Sequence, residues 1–138
     1  MLHAAVHLLS MREHSRLELE RKLLHRFDMA VVQQVLQDLE QQGLQSDARF
    51  AEQYVHSRRN KGYGPLRIRL ELVERGIADE LISTWLDADL DWRRVMLEVA
   101  ERKFGVSPPA DRKELAKRGR SLSCRGFPSW MISEYLFG

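Results

Sequence analysis

Apolar residues recur every three or four positions along most of the chain, in segments bounded by glycine, proline and small polar residues. Between Asp28 and Gly43, for example, the apolar positions at this spacing are Val32, Val35, Leu36 and Leu39. The spacing predicts an amphipathic helix, which Asp28 can cap and which Gly43 can end by adopting left-handed backbone. No stretch shows a sustained alternation of apolar and polar residues, so we predict no sheet.

The same signals mark other helix starts along the chain. Ser15 followed by Glu18 has the spacing of a capping box. Proline suits the first position of a helix, and aspartate suits the cap. Further starts are predicted at or just after Asp47, Pro65, Asp79, Asp91, Asp111 and Pro128. Together with the amino-terminal segment, these positions predict nine helices, and hence an all-α fold.

The helices fall into three groups that repeat one pattern. Apolar and basic positions in residues 17–26 match those in residues 66–75 at an offset of 49, and residues 72–82 match residues 122–132 at an offset of 50. A three-helix unit of this length buries little core alone and gains stability by stacking on its neighbours. We therefore predict three tandem three-helix repeats, residues 1–45, 46–90 and 91–138, forming an elongated, curved helical array.

The second helix of the middle repeat carries two apolar stripes. Ile68 and Leu72 form one stripe, and Leu66, Leu70 and Val73 form another. The stripes point in different directions on a helical wheel, because residues three or four apart share a face. This arrangement predicts that the helix packs on two sides.

The composition is that of a globular protein in a reducing compartment. Of the 138 residues, 43% are hydrophobic and 30% are charged. Cys124 is the single cysteine, which excludes an internal disulfide. No apolar run reaches the ~20 residues of a membrane span, and the amino terminus lacks the pattern of a secretory signal. We expect a cytoplasmic monomer that does not bind membranes.

Charge is segregated along the chain. Residues 58–75 contain six basic and two acidic residues, and residues 112–125 contain six basic and one acidic. Residues 28–57 contain one basic and five acidic residues, and residues 76–91 contain five acidic residues and no basic one. Such blocks give the folded protein surfaces of one sign, which attract partners of the other.

Residue patterns for catalysis are lacking. His3 and His7 are four residues apart, but no cysteine or carboxylate cluster completes a zinc site. The glycine-rich residues 62–65 lack the lysine and hydroxyl residue of a phosphate-binding loop and predict a tight turn, in which Tyr63 packs or contacts a partner. We expect a binding protein that is not an enzyme and needs no cofactor or metal.

The basic run around residues 58–75 is the main candidate for a binding site. Arg58, Arg59 and Lys61 close a helix, where the helix dipole favours cations. Arg67 and Arg69 lie near a helix amino terminus, where the dipole does not account for them. Charge alone leaves open both a site for phosphate or acidic groups and a solvated helix face.

Longer motifs resolve this choice by resemblance. Residues 46–55 read SDARFAEQYV, residues 57–65 read SRRNKGYGP, and residues 75–77 read RGI. These segments, together with residues 8–15, Leu19 and residues 22–24 of the first repeat, resemble the RecX family, bacterial regulators of the RecA recombinase. The resemblance extends over essentially the whole chain. One departure is at residues 26–27, where Arg-Phe stands in place of the Arg-Gly of the other repeats, so the second turn of the first repeat must close differently.

The resemblance implies both a fold and a function. RecX proteins consist of three tandem three-helix repeats, bind the groove of the RecA–DNA filament, suppress its ATPase, strand-exchange and coprotease activities, and bind DNA weakly without sequence specificity. The residues expected to contact RecA or DNA are Arg58, Arg59, Lys61, Tyr63, Arg67, Arg69 and Arg75. The alternative is a general DNA-binding module, similar to helix-turn-helix domains, that acts without RecA.

Overall fold

The computed structural model describes residues 2–88 and 91–138. Within these residues the chain forms nine helices and no strand, which confirms the predicted all-α fold. The helices are α1 (Leu2–Met11), α2 (Arg16–Leu23), α3 (Met29–Gln41), α4 (Asp47–Asn60), α5 (Pro65–Glu74), α6 (Asp79–Leu86), α7 (Trp92–Phe104), α8 (Arg112–Cys124) and α9 (Ser129–Phe137). The predicted repeat limits at residues 1 and 90 lie outside the described residues.

Local capping explains where the helices begin. Ser15 and Glu18 form the predicted capping box, in which Glu18 N donates to Ser15 Oγ at 3.1 Å and Ser15 N donates to Glu18 Oε1 at 3.1 Å. The carboxylates of Asp28, Asp91 and Asp111 each accept a hydrogen bond from a backbone N–H in the first turn of α3, α7 and α8. These bonds satisfy N–H groups that have no partner within the helix.

The helices are distributed over two compact units. One unit comprises Met1–Tyr54 with Leu72–Trp85, and the other comprises Val55–Glu71 with Leu86–Gly138. Helices α4 and α5 contribute residues to both units. The two units therefore do not coincide with the three groups of helices, and the boundaries of the three repeats stay a prediction.

Each unit has its own apolar core. In the first unit, one cluster of buried core residues comprises Ala5, Leu19, Leu23, Val32, Leu36 and Leu39. In the second unit, such a cluster comprises Val95, Met96, Val99, Ala100, Leu122, Phe127, Met131 and Ile132. None of the described helices is both long and apolar enough to cross a bilayer.

In the second unit, the turn between α4 and α5 lies directly on the turn between α8 and α9. Gly64 N donates to the Arg125 carbonyl at 2.7 Å, and Leu66 N donates to the Gly126 carbonyl at 3.0 Å. Gly126 has φ +101°, and a Cβ on it would lie 2.6 Å from Arg67 N. Only glycine allows the two backbones to approach this closely.

The first unit contains the corresponding contact. Gly76 has φ +77°, and a Cβ on it would lie 2.8 Å from Leu17 Cβ. By the repeat offset, Leu17 and Gly76 correspond to the start of α5 and to Gly126. In both pairs, the start of the second helix of one repeat lies against the glycine that follows the second helix of the next repeat.

The first repeat closes its second turn without a glycine. Arg26 N and Phe27 N both donate to the Leu23 carbonyl, at 3.1 and 3.0 Å. Among the described residues, no residue other than glycine has a positive φ. The expectation that this turn closes differently is confirmed.

Helix α5 packs on one side only, so the prediction of two-sided packing was wrong. Ile68 and Leu72 are completely buried. Leu66, Leu70 and Val73 are 51%, 66% and 51% exposed. The second stripe of α5 therefore faces solvent.

We expect the first unit to lose stability in mild acid because of His14, which is 1% exposed. Lys22 Nζ lies 3.0 Å from His14 Nε2 and can only donate, so Nδ1 carries the proton and donates to the Arg12 carbonyl at 3.0 Å. Burial lowers the pKa of His14 below its ordinary value of 6.5. The unfolded chain therefore binds a proton near pH 6.5 that the folded chain accepts only at lower pH.

Stability should accordingly fall as the pH drops below 6.5, by at most about 1.4 kcal/mol per pH unit from this one group. Urea unfolding at a series of pH values between 8 and 5 measures the effect, and His14→Gln serves as the comparison. Equal losses of stability in the wild type and in His14→Gln would show that another group is responsible.

Candidate functional site

Six of the seven predicted binding residues lie in the second unit. They are Arg58, Arg59, Lys61, Tyr63, Arg67 and Arg69, and they occupy the end of α4, the following turn and the start of α5. Arg75 lies in the first unit, where its Nε is 3.8 Å from Glu18 Oε2 and its guanidinium lies 4.8 Å from the centre of the Tyr54 ring.

Tyr63 is surrounded by three arginines. The guanidinium carbons of Arg58, Arg67 and Arg125 lie 3.9, 4.4 and 5.3 Å from the centre of its ring. Cations at these distances are attracted by the ring's electron density. Tyr63 therefore holds together cationic side chains from α4, from α5 and from the end of α8.

Glu71 neutralises part of this positive charge. Arg58 donates to both of its carboxylate oxygens, at 2.9 and 2.8 Å, and Arg67 Nε donates to one of them at 3.4 Å. The side chains of Arg58 and Glu71 are only 19% and 17% exposed. A largely buried bidentate pair fixes geometry, so Arg58 serves the structure of the site more than contact with a ligand.

A basic groove lies beside this cluster, between the end of α4 and helix α7. It consists of two adjoining cavities of about 250 and 220 Å³ that share Gly62, Val99 and Arg102 as lining residues. The cationic lining residues of the groove are Arg59, Lys61, Arg94, Arg102, Lys103 and Arg125. Glu98 is the one acidic residue among those that line the two cavities.

Two of the groove's arginines are engaged within the fold. Arg125 Nη1 donates to the carbonyls of Lys61 and Gly62 at 3.2 and 3.1 Å. Arg94 Nη1 lies 3.8 Å from Glu98 Oε1. Arg125 thus fixes the turn that follows α4. Arg94 pairs with Glu98, the acidic residue of the groove lining, so Glu98 offsets the charge of Arg94.

The other cations give the groove its surplus of positive charge. Lys61, Arg102 and Lys103 are exposed, although Lys103 Nζ also donates to Ser121 Oγ at 2.8 Å. Arg59 Nε is buried and has no hydrogen-bond partner in the described part of the chain. A concave surface with this excess of cations favours an anionic ligand, and it suits a chain of phosphates better than a single small anion.

The sequence prediction missed four residues of the groove. Arg94, Arg102, Lys103 and Arg125 lie far along the chain from residues 58–69, and only folding brings them together. A partial signal was present, since α4 and α7 both end in a basic pair shortly before a glycine. That pattern is also what the helix dipole favours, so it does not by itself indicate a shared groove.

Three domain models of one known protein family match the chain. Residues 2–39 match the first three-helix domain of RecX, residues 46–86 match the second, and residues 94–136 match the third. The groove residues Arg59 and Lys61 fall in the second match, and Arg94, Arg102, Lys103 and Arg125 fall in the third.

Individual relatives agree with this assignment. The chain is 46% identical over 126 residues to a regulatory protein RecX of Halorhodospira halophila, covering 90% of this chain and 78% of the relative. It is 43% identical over 136 residues to a regulatory protein RecX of Pseudomonas fluorescens strain Pf-5, covering 97% and 88%. The crystal structure of RecX from Lactobacillus salivarius superposes with a TM-score of 0.77 at 26% identity, covering 98% of this chain and 93% of that one. The chain belongs to the RecX family of regulatory proteins.

Proposed function

We propose that this protein binds the RecA–DNA filament and inhibits the recombinase, ATPase and coprotease activities of RecA. The observation that carries the proposal is the basic groove, in a chain whose relatives are named regulatory proteins. Inhibition needs no covalent chemistry, since a protein seated on the filament blocks space that a second DNA strand or a substrate of the coprotease must enter.

The groove supplies the contact with nucleic acid in this proposal. Lysine and arginine side chains that neutralise phosphates release counterions, which gives affinity without sequence preference. Lys61, Arg102 and Lys103 are the exposed cations suited to this role. Tyr63 and Glu71 hold Arg58 and Arg67 beside them, so the positive surface is fixed before the ligand arrives.

Arg58 and Arg67 are poor choices for a functional test. Arg58 forms the bidentate pair with Glu71, and Arg67 donates to Glu71 and, through Nη1, to the Cys124 carbonyl at 3.3 Å. A glutamate at either position would disturb the junction of the two turns, so a loss of function would not distinguish binding from folding.

The test uses two lysines instead. Lys61→Glu combined with Lys103→Glu should leave the helical circular-dichroism spectrum unchanged and weaken binding to single-stranded DNA by more than tenfold. The slope of log affinity against log salt should become shallower by about 1.4, because each lost phosphate contact removes about 0.7. Inhibition of RecA ATPase on single-stranded DNA should be lost in parallel.

A matched control separates the groove from total charge. Lys113→Glu with Lys117→Glu makes the same change of charge at exposed positions of α8, and it should inhibit RecA as the wild type does. Equal losses in both double variants would mean that net charge alone matters. A groove variant that inhibits at the wild-type concentration would place the binding surface elsewhere. If the wild type binds DNA but does not inhibit RecA, the alternative function, a general DNA-binding module that acts without RecA, is favoured.

A further inference from the structure

Helix α5 presents an apolar stripe to solvent. Leu66, Leu70 and Val73 are spaced by four and three residues, so they follow one line along this continuous helix. Each is at least half exposed. Scattered single apolar residues on a surface need no explanation, but an aligned set on one helix face is typical of protein contact surfaces.

The charges beside the stripe restrict what can cover it. On the helical wheel, Arg69 lies on one side of the stripe, and Arg67 and Glu74 lie on the other. The amino-terminal half of the stripe is thus flanked by arginine on both sides, and its carboxy-terminal half by a single glutamate. An apolar surface edged by carboxylates complements this pattern, whereas an apolar surface with basic edges does not.

The stripe also adjoins the groove along the chain. Lys61 and Gly62 line the groove, and Pro65 begins α5 three residues later. The Leu66 N–H is held by the Gly126 carbonyl at 3.0 Å, which fixes the start of the stripe beside the turn. The groove and the start of the stripe are therefore separated by only a short turn of the chain.

We propose that the α5 stripe is the protein-binding surface of this regulator, and that it receives an apolar segment edged by carboxylates on the RecA subunit of the filament. The proposal rests on the proposed function and divides it into two contacts. The groove binds DNA phosphate, and the stripe binds protein.

The test separates the two contacts. Leu70→Gln with Val73→Thr removes apolar surface without changing charge or any buried core residue. Because exposed apolar residues at the centre of an interface can dominate affinity, the concentration needed for half-inhibition of RecA ATPase should rise about tenfold or more. Binding to single-stranded DNA, and its salt dependence, should stay at the wild-type values.

The control makes the same two substitutions elsewhere. Leu44→Gln with Val31→Thr changes residues that are each 45% exposed and lie off α5, and it should inhibit as the wild type does. A stripe variant that inhibits like the wild type overturns the proposal while the proposed function stands. If the wild type fails to inhibit RecA, both the proposed function and the proposal that the stripe binds RecA are overturned. If sedimentation shows that the wild type is a dimer and the stripe variant a monomer, the stripe serves self-association. That result would also overturn the proposal that the stripe binds RecA.

Discussion

Removal of residues 91–138 is expected to leave a chain that does not fold cooperatively and that self-associates. Val55–Glu71 forms one compact unit with Leu86–Gly138, so the truncated chain keeps one side of that unit and loses the other. All eight buried residues of its core cluster lie in the deleted part. The apolar surface left on the end of α4 and the start of α5 would favour aggregation.

Thermal unfolding followed by circular dichroism, together with sedimentation, tests this expectation. The full-length chain should show one sharp transition as a monomer, and the 1–90 fragment should show a broad transition at lower temperature. Adding the separate 91–138 fragment serves as the control, because it restores the missing packing without restoring the covalent link. A 1–90 fragment that is monomeric, cooperative and as heat-stable as the full chain would show that its folding needs nothing from the last three helices.

Gly126→Ala is expected to destabilise the protein by roughly 3 kcal/mol. A residue with a side chain is strained in left-handed backbone by about 1–2 kcal/mol, and Gly126 has φ +101°. Its new Cβ would also meet the backbone and Cβ of Arg67, with 2.6 Å to the backbone nitrogen, and overpacking of this kind costs about 1–3 kcal/mol. The overlap involves the backbones of both residues, which cannot shift easily to relieve it.

Denaturant unfolding of Gly126→Ala beside Gly43→Ala separates the two causes. Gly43 also has a positive φ, of +74°, but a Cβ on it would meet no atom within 4 Å. Its substitution should therefore cost only the backbone strain, about 1 kcal/mol. Equal losses of stability in the two variants would mean that the contact with Arg67 contributes nothing.

The helices of this protein are predictable because their determinants are local. The Ser15–Glu18 box and the aspartate caps act over three residues, and apolar spacing acts within one helix. The contact between the two turns is different in kind. It joins Gly64 to Arg125 and Leu66 to Gly126, and nothing within either segment indicates which backbone the other will meet.

The exposed stripe of α5 shows a second limit. The spacing of Leu66, Leu70 and Val73 correctly indicates a common face, but spacing does not tell whether that face meets the chain's own core or another molecule. The prediction of two-sided packing assumed the first case. An apolar helix face that binds a partner has the same sequence pattern as one that packs against the protein's own core.

The candidate site was predictable as a region but not as a surface. The basic run near residues 58–69 marks the segment as a candidate, since charge density is visible in the sequence. The pairing of Arg58 and Arg67 with Glu71 depends on side-chain geometry. The arrival of Arg102 and Lys103 at the same groove depends on the packing of α7. Which cations remain available to a ligand is therefore a property of the fold.

The contact between turns also bears on polymerisation. A contact that fits one turn onto a different turn is heterologous, and between separate chains such contacts add copies head to tail without closing. Phe27 stands where the other repeats carry Gly76 and Gly126. The first repeat therefore lacks the side-chain-free position against which Leu17 and Arg67 lie in the other two repeats. An incoming turn would thus find no glycine on the first repeat, and we expect that copies of this protein do not extend each other into a fibre through this contact.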